Sequence, residues 1–306
     1  MVIIAFIGMC LAWSFSWFAM KLQVDSFIAP EISLFYRFAG VAFLMTLLCI
    51  ATKTRLKPFK TEYRYFIFIA LTNFCLNFLI GYHTTKFIPS GMIAVIFSLS
   101  IITSEIFKVI LDGKKIELKI IASSSFGFVG LLFFILPNLK FSDNSSNSQI
   151  IFGMFLALMM MTIFAFGNYL VEKNRHQNHT PLFTSITFGS TLSSLYLLLI
   201  NLVLGHKFAM DYSWQYLGSL FYQIFIASIV AFLCFYYLIQ KIGAVKANYT
   251  ALIYPTIALM VSSYFENFNF TLLGTLGLLL IITALALEFA SKKNLQILKN
   301  VIKART

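Results

Sequence analysis

Residues 150–171 read IIFGMFLALMMMTIFAFGNYLV, an apolar run without a single charged side chain. A helix of about 20 apolar residues spans the hydrocarbon core of a bilayer. A transmembrane strand would instead alternate apolar and polar residues, and this run shows no strict alternation. In lipid every backbone amide must be paired within the protein, and a helix meets this requirement by itself. The run therefore predicts a transmembrane helix.

Nine further apolar runs of similar length use up most of the 306 residues. Hydrophobic residues make up 59% of the sequence and charged residues 11%, whereas a soluble domain keeps roughly a quarter of its residues charged. We therefore predict an all-α integral membrane protein with ten transmembrane helices. The predicted spans are 2–20, 30–52, 65–82, 90–111, 119–137, 150–171, 181–204, 217–239, 247–265 and 270–290.

The first predicted span starts almost at Met1 and could be mistaken for a secretory signal. Its apolar core is too long for that role, and it has neither a basic start nor a small-residue cleavage site. We expect it to be retained as the first transmembrane helix.

Lysine and arginine residues are distributed unevenly between alternate loops. Most of them follow even-numbered spans or lie in the tail at 291–306. The loops after odd-numbered spans hold only Lys21, Lys86, Lys140 and Lys207. Because cytoplasmic loops carry the Lys/Arg excess, both termini are predicted to be cytoplasmic. The net charge of +12 is then explained by basic cytoplasmic loops, which are attracted to anionic membrane lipids. We expect no nucleic-acid partner.

The chain also contains a weak internal repeat. The segment GMCLA at 8–12 recurs as GMFLA at 153–157, at the start of the first and sixth spans. Residues 1–137 and 150–290 each hold five spans, and since five is odd the second half enters the membrane from the opposite side. Inverted repeats are the architecture of secondary transporters. We predict two inverted five-helix repeats, followed by a basic cytoplasmic tail at 291–306.

Four groups of residues resemble a known family in type and spacing. They are WSFSWFAMK at 13–21, Pro30 with Arg37-Phe38, YYLIQKIGAVKA at 236–247 with Tyr254-Pro255, and Phe265-Glu266-Asn267 with Gly274 and Gly277. On these residues the chain resembles the drug/metabolite transporter superfamily, in particular its EamA-like branch of ten-span proteins. The resemblance implies alternating access through a central cavity.

The first half departs from this family pattern at two places. The fourth span reads Ser98-Leu99-Ser100 where the family usually carries proline, and Asp112 stands where glutamate is commoner. We therefore expect the fourth helix to be less kinked than is usual in the family.

Polar and aromatic side chains at helical spacing are candidates for substrate binding. Asn73 and Asn77 lie one turn apart in the third span, as Trp13 and Trp17 do in the first. Buried polar side chains either hydrogen-bond a neighbouring helix or meet a substrate, and for the two asparagines both alternatives stay open. Trp13 and Trp17 are the best candidates for an aromatic contact.

Two charges lie inside predicted spans, where each costs roughly 2.5–3.5 kcal/mol on insertion scales. Arg37 in the second span is interpreted as an anion or carboxylate clamp, with a structural ion pair as the alternative. Glu105 in the fourth span is interpreted as a protonatable coupling group, with a salt link to Lys108 one turn away as the favoured alternative.

In the ninth span Pro255 removes a backbone hydrogen bond and bends the helix. Such a break in a transporter frees carbonyl groups where substrate passes, although a plain packing kink is an equal alternative. The neighbouring Tyr254 is a further candidate contact for the substrate.

No sequence motif of a hydrolase, a metalloprotease or a nucleotide-binding loop occurs. The four cysteines fall inside apolar spans without metal-type spacing, so we expect no disulfide, metal or cofactor. The hypothesis is a secondary transporter of small metabolites such as amino acids, driven by protons or another ion, in a bacterial inner membrane. A membrane-embedded enzyme acting on lipid-linked substrates and a non-transporting membrane subunit are the alternatives.

Overall fold

The computed structural model of the chain describes residues 1–113, 118–138, 144–266 and 271–289. All regular secondary structure in these ranges is helical, and no strand occurs in them. The main helices are α1 Val2–Val24, α2 Pro30–Ala51, α3 Tyr63–Thr84, α4 Ser90–Leu111, α5 Leu118–Ile135, α6 Asn144–Asn178, α7 Leu182–Val203, α8 Trp214–Ile242, α9 Tyr254–Phe265 and α10 Leu272–Phe289.

Within the described ranges, seven helices are long and apolar enough to cross a membrane, namely α1–α4 and α6–α8. Shorter apolar stretches, Ser125–Phe134 and Leu272–Ala284, lie in α5 and α10. This confirms an all-helical membrane protein, whereas the count of ten spans and the inverted orientation stay predictions. The predicted basic tail at 291–306 lies outside the described residues.

Proline sets the start of several helices. Pro30 occupies the first turn of α2, and Pro89 and Pro181 directly precede α4 and α7. Proline fits these places because the first amides of a helix have no partner within it. After α8 the chain turns at Gly243, whose φ of +83° is readily adopted only without a β-carbon.

Several helices are interrupted in mid-course. α3 contains a π-helical turn at Ala70–Leu76, and α8 contains one at Phe225–Val230. α1 breaks at Phe15, and a 3₁₀ turn, Asn248–Leu252, precedes α9. Such irregularities leave backbone carbonyls free for other partners.

The fourth helix is also interrupted, at Leu99, although it has no proline there. The helix is therefore interrupted without the proline that is usual in the family, while its degree of kinking stays a prediction. The hydroxyl of Ser98 bonds to the carbonyl of Val95 at 2.6 Å, and the Leu99 amide bonds to the carbonyl of Ile96 instead of that of Val95. Serine competes in this way with the backbone hydrogen bonds of a helix.

The helices pack in a regular scheme. α1 packs on α8 and α3 on α6, while α2 meets α7, α4 meets α9 and α5 meets α10. The scheme is unchanged when α1–α5 are exchanged with α6–α10 in order, and the two π-helical turns fall on counterpart helices. This symmetry is what a repeat of five helices requires.

The outer surface carries large apolar side chains such as Phe43, Phe155 and Leu199, which are 65%, 59% and 60% exposed. A soluble protein seldom exposes so much apolar surface, which in lipid carries no penalty. The polar side chains of the spans lie inside: Arg37 and Asn73 are completely buried. The candidate binding site therefore lies in the interior between α1, α3, α4, α6 and α8.

Candidate functional site

A cavity lies between α1, α3, α4 and α6. Its volume is about 380 Å³, counting the space that is open to its surroundings. The side chains around it leave room for little more than a water molecule, so the observed conformation is closed to a metabolite. The lining residues are Trp13, Ser16, Trp17, Met20, Asn77, Phe78, Gly81, Phe97, Met160 and Phe164.

The two tryptophans predicted from the sequence both line this cavity. The indole N–H of Trp13 donates to the carbonyl of Ala227 at 3.2 Å, in the π-helical turn of α8. The indole N–H of Trp17 is buried and has no hydrogen-bond partner among the described residues. Trp13 is thus held by the protein, whereas Trp17 keeps a donor available for a ligand.

The structure separates the two asparagines of α3. Asn77 lines the cavity, and its Oδ1 is buried without a partner among the described residues. Asn73 does not line the cavity. Its Nδ2 donates to Asn168 Oδ1 at 2.9 Å and to the Tyr236 hydroxyl at 3.4 Å, while its Oδ1 also lacks a partner among the described residues. Asn73 therefore joins α3 to α6 and α8, while Asn77 is placed to contact a ligand.

Arg37 on α2 is completely buried next to the cavity. Its Nε donates to Ser228 Oγ at 2.9 Å, and its guanidinium carbon lies 4.2 Å from the centre of the Phe78 ring, which itself lines the cavity. Both terminal nitrogens lack a hydrogen-bond partner among the described residues, and no described carboxylate pairs with the group. A buried cation without its counter-ion is costly and commonly marks a functional site in a membrane protein.

The other predicted site residues lie away from the cavity wall. Tyr254 and Pro255 are buried at the start of α9, where the Tyr254 ring packs edge-on against Trp13 at 6.1 Å between ring centres. Glu105 is half-buried in the second part of α4 and has interactions of its own. Lys108, its predicted alternative partner, forms an ion pair with Glu172 at 2.9 Å.

Sequence reasoning missed the apolar part of the wall. Phe78, Phe97, Met160 and Phe164 line the cavity, but in a chain this rich in phenylalanine nothing local separates a cavity-lining ring from a lipid-facing one. The position of Phe78 directly after Asn77 was the available signal.

A partly buried polar cluster at one end of the bundle was also missed. The carboxylate of Glu31 contacts His83 Nε2 at 2.7 Å and His206 Nδ1 at 3.9 Å, and Asn201 donates to the backbone carbonyl of Glu31. The cluster joins α2, α3 and α7 on the side predicted to face outward.

At the opposite end Glu62 ties the loop before α3 to the start of α7. Its buried carboxylate accepts hydrogen bonds from Arg55 at 2.8 Å, from the Phe59 amide at 2.6 Å and from the Thr180 hydroxyl. Burial raises the pKa of this carboxyl group, but the three hydrogen bonds outweigh it and hold the pKa below the ordinary 4.5. Glu62 is therefore ionised at neutral pH and serves as a structural link.

In the described ranges no three His, Cys, Asp or Glu side chains are grouped so that they could hold a metal ion. The site consists of a small closed cavity, two unpartnered polar atoms on its wall and an arginine behind Phe78. Such an arrangement can bind a small molecule that has an apolar body, acceptors for Trp17 and Arg37, and an N–H or O–H donor for Asn77 Oδ1.

The EamA-like transporter family matches residues 1–136 and again 151–289. The chain belongs to this family. The two matches cover one half of the chain each, and together they include every residue that lines the cavity.

Three bacterial proteins are similar to this EamA-like chain over most of their length. An uncharacterized transporter of Buchnera aphidicola subsp. Schlechtendalia chinensis is 26% identical over 86% of this chain and 84% of that protein. Protein PagO of Salmonella typhimurium is 26% identical over 91% and 88%. An uncharacterized transporter of Buchnera aphidicola subsp. Schizaphis graminum is 24% identical over 86% and 85%.

A solved crystal structure of another protein superposes with a TM-score of 0.68 and covers 94% of this chain and 98% of its own. Because the two sequences are only 13% identical, this match shows a shared fold and nothing more. The family and the transporters among the relatives identify the chain as a multi-pass membrane protein of the transporter class and point away from an enzyme.

Proposed function

We propose that this chain is a secondary transporter that moves small amphipathic metabolites, such as amino acids or related compounds, by alternating access through the closed cavity. The observation that carries the proposal is the pair of unpartnered polar atoms on the cavity wall, Trp17 Nε1 and Asn77 Oδ1. An unpaired buried polar group costs about 1–3 kcal/mol. Nine such atoms occur among the described residues, and these two are the ones that belong to cavity-lining residues. A bound substrate would pair them.

The surroundings of the cavity favour a substrate with an anionic group and an apolar body. Arg37 offers two free guanidinium nitrogens directly behind Phe78, so a rotation of that ring would connect the arginine with the cavity. Aromatic rings and methionine thioethers form most of the remaining wall and suit an apolar side chain. In this proposal Arg37 takes the carboxylate, Trp17 and Asn77 take the neighbouring polar atoms, and Tyr254 supports Trp13.

Transport requires the closed cavity to open alternately to the two sides. The π-helical turn of α8 contacts Trp13 through Ala227 and Arg37 through Ser228. The π-helical turn of α3 contains Asn73 and directly precedes Asn77. Irregular helices of this kind are suited to changing conformation. Protons or another ion would supply the driving force, with Glu105 as the proposed coupling group, and the bacterial relatives favour the inner membrane as the location.

Uptake into proteoliposomes tests the proposal. The purified protein is reconstituted, and a panel of labelled amino acids and organic acids is offered with and without a pH gradient. We expect protein-dependent accumulation of at least one carboxylate-bearing compound and more of it under a gradient of one sign. If no compound crosses under any gradient, the proposal fails, and a membrane enzyme or a non-transporting subunit takes its place.

The two asparagines of α3 provide a matched pair of variants for this assay. Asn77→Ala removes an oxygen that has no partner among the described residues. We therefore expect the transport rate to fall about tenfold or more, while the free energy of unfolding changes by less than about 1 kcal/mol. Asn73→Ala breaks the bonds to Asn168 and Tyr236 and is expected to lower stability by about 1–3 kcal/mol. Equal effects of both variants on stability, with unchanged transport by Asn77→Ala, would remove Asn77 from the site.

A further inference from the structure

A second groove lies on the outer surface, between the start of α3, the end of α4 and the end of α6. It encloses about 930 Å³, counting the space that is open to the surroundings. None of its residues lines the central cavity. The lining residues are Arg64, Tyr65, Phe68, Leu111, Phe166, Tyr169, Leu170, Lys173 and Gln177.

The polarity of this groove changes along its length. On α3, Arg64 lies one turn before Phe68, and on α6, Lys173 lies nearer to the helix end than Phe166. Since α3 begins and α6 ends at this level, the basic side chains of both helices are at the same end of the groove. Phe68, one turn further into α3, and Leu111, the last residue of α4, form the apolar part of the groove. They are 52% and 45% exposed and require an apolar cover.

The basic end of the groove carries an excess of positive charge, although Asp112 lies near Lys173. Arg64 is exposed and forms no ion pair or hydrogen bond with any described residue. Lys173 donates to the neutral hydroxyl of Tyr169 at 3.1 Å. The acidic Glu172 next to it is engaged by Lys108, and Asp112 accepts a hydrogen bond from Tyr169.

We propose that this groove binds one anionic phospholipid, with the phosphodiester between Arg64 and Lys173 and an acyl chain along Phe68 and Leu111. Basic pockets between transmembrane helices on the cytoplasmic side are suited to anionic lipid head groups. The loop charges predict this end of α3 and α6 to be cytoplasmic. A free phosphate would bind the basic side chains of Arg64 and Lys173 but would leave Phe68 and Leu111 uncovered. A lipid covers both, and the groove therefore favours a lipid.

Native mass spectrometry of the delipidated full-length protein tests the site. The protein in detergent is titrated with phosphatidylglycerol, with phosphatidylcholine of the same chain length, or with inorganic phosphate. We expect phosphatidylglycerol to bind at least about fivefold more tightly than phosphatidylcholine, and phosphate alone not to displace it. Arg64→Gln and Lys173→Gln should each weaken phosphatidylglycerol binding about fivefold, as expected for one basic residue near a charged lipid surface.

Lys241→Gln is the matched control, because Lys241 is also basic and exposed and packs on a tyrosine ring but lies outside the groove. Lys241→Gln should leave the phosphatidylglycerol affinity unchanged. Arg64→Lys keeps the positive charge and should therefore retain most of the affinity that Arg64→Gln loses. A melting curve of each variant shows whether it is folded. Equal binding of the two lipids, displacement by phosphate alone, or equal losses for Arg64→Gln and Lys241→Gln would overturn the proposal.

Discussion

Arg37 and Arg55 illustrate how the surroundings of a side chain decide its role. Arg55 pairs with the buried carboxylate of Glu62 at 2.8 Å. Arg37 has no such carboxylate among the described residues: it contacts the Ser228 hydroxyl and the rings of Phe38 and Phe78, and it lies beside the Tyr82 hydroxyl. The first arrangement neutralises a buried charge. The second leaves a buried cation with two free nitrogens, which stabilises the fold little and keeps the arginine available to an anion.

The first prediction concerns Arg37→Met, with Arg55→Met as its matched control. Removing Arg37 also removes its buried unpaired nitrogens, so the free energy of unfolding should change by less than about 1 kcal/mol while transport falls at least tenfold. Removing Arg55 leaves the buried Glu62 carboxylate without its counter-ion. This should lower the free energy of unfolding by about 2–4 kcal/mol. Unfolding in detergent and uptake into proteoliposomes measure the two effects. A large loss of stability in Arg37→Met with intact transport would make Arg37 structural.

At the scale of single elements, α5 and α10 show why small residues matter in a membrane. A β-carbon on Gly130 would lie 2.7 Å from the carbonyl oxygen of Gly277, and one on Gly277 would clash with the backbone at Phe134. The two helices therefore touch backbone to backbone at this crossing. Without a hydrophobic drive between helices in lipid, such close packing is what holds a helix pair together.

The second prediction follows from this contact. Gly130→Ala and Gly277→Ala should each lower the free energy of unfolding by about 1–3 kcal/mol, because the obstacle is backbone that has no room to move. Gly218→Ala in α8 is the control: its β-carbon meets nothing within 4 Å. That variant should be neutral or slightly stabilising, as alanine is in a helix. Denaturation in detergent compares the three, and equal stability of all three would contradict a close crossing.

The sequence predicted the elements themselves well and their interruptions poorly. A long apolar run forms a helix in lipid whatever its neighbours are, which is why the predicted spans at 30–52 and 90–111 match α2 and α4 to within one residue. α6 extends well beyond the predicted 150–171, from Asn144 to Asn178, because polar residues continue the helix outside the apolar run. The π-helical turns carry no composition signal, because they depend on contacts with other helices.

At the scale of the whole molecule, the packing scheme relates α1–α5 to α6–α10. If the two halves are inverted repeats, they cross the membrane in opposite directions. The loop after α2 and the loop after α7 must then lie on opposite sides of the membrane. Lys57 and Lys207 are exposed in these two loops. The loop charges predict Lys57 to be cytoplasmic and Lys207 to be external.

The third prediction tests this direction in whole cells. In a variant whose four cysteines are replaced, a single cysteine at position 207 should react with an impermeant maleimide added outside. A cysteine at position 57 should react only after the membrane is permeabilised. Reaction of both positions from the same side would rule out the inverted arrangement. Retained transport by the cysteine-free protein serves as the control for folding.

The sequence by itself determined the class of the protein and the place of most helices. Apolar length is a local property, and it sufficed for these conclusions. Helical spacing, also local, pointed to Trp13, Trp17 and Asn77, which line the cavity. Only the tertiary structure separated Asn73 from Asn77, placed Arg37 behind Phe78 and brought α5 and α10 into backbone contact. The physical reason is that these features depend on which helix faces which, and a periodic pattern along one helix does not specify its partner.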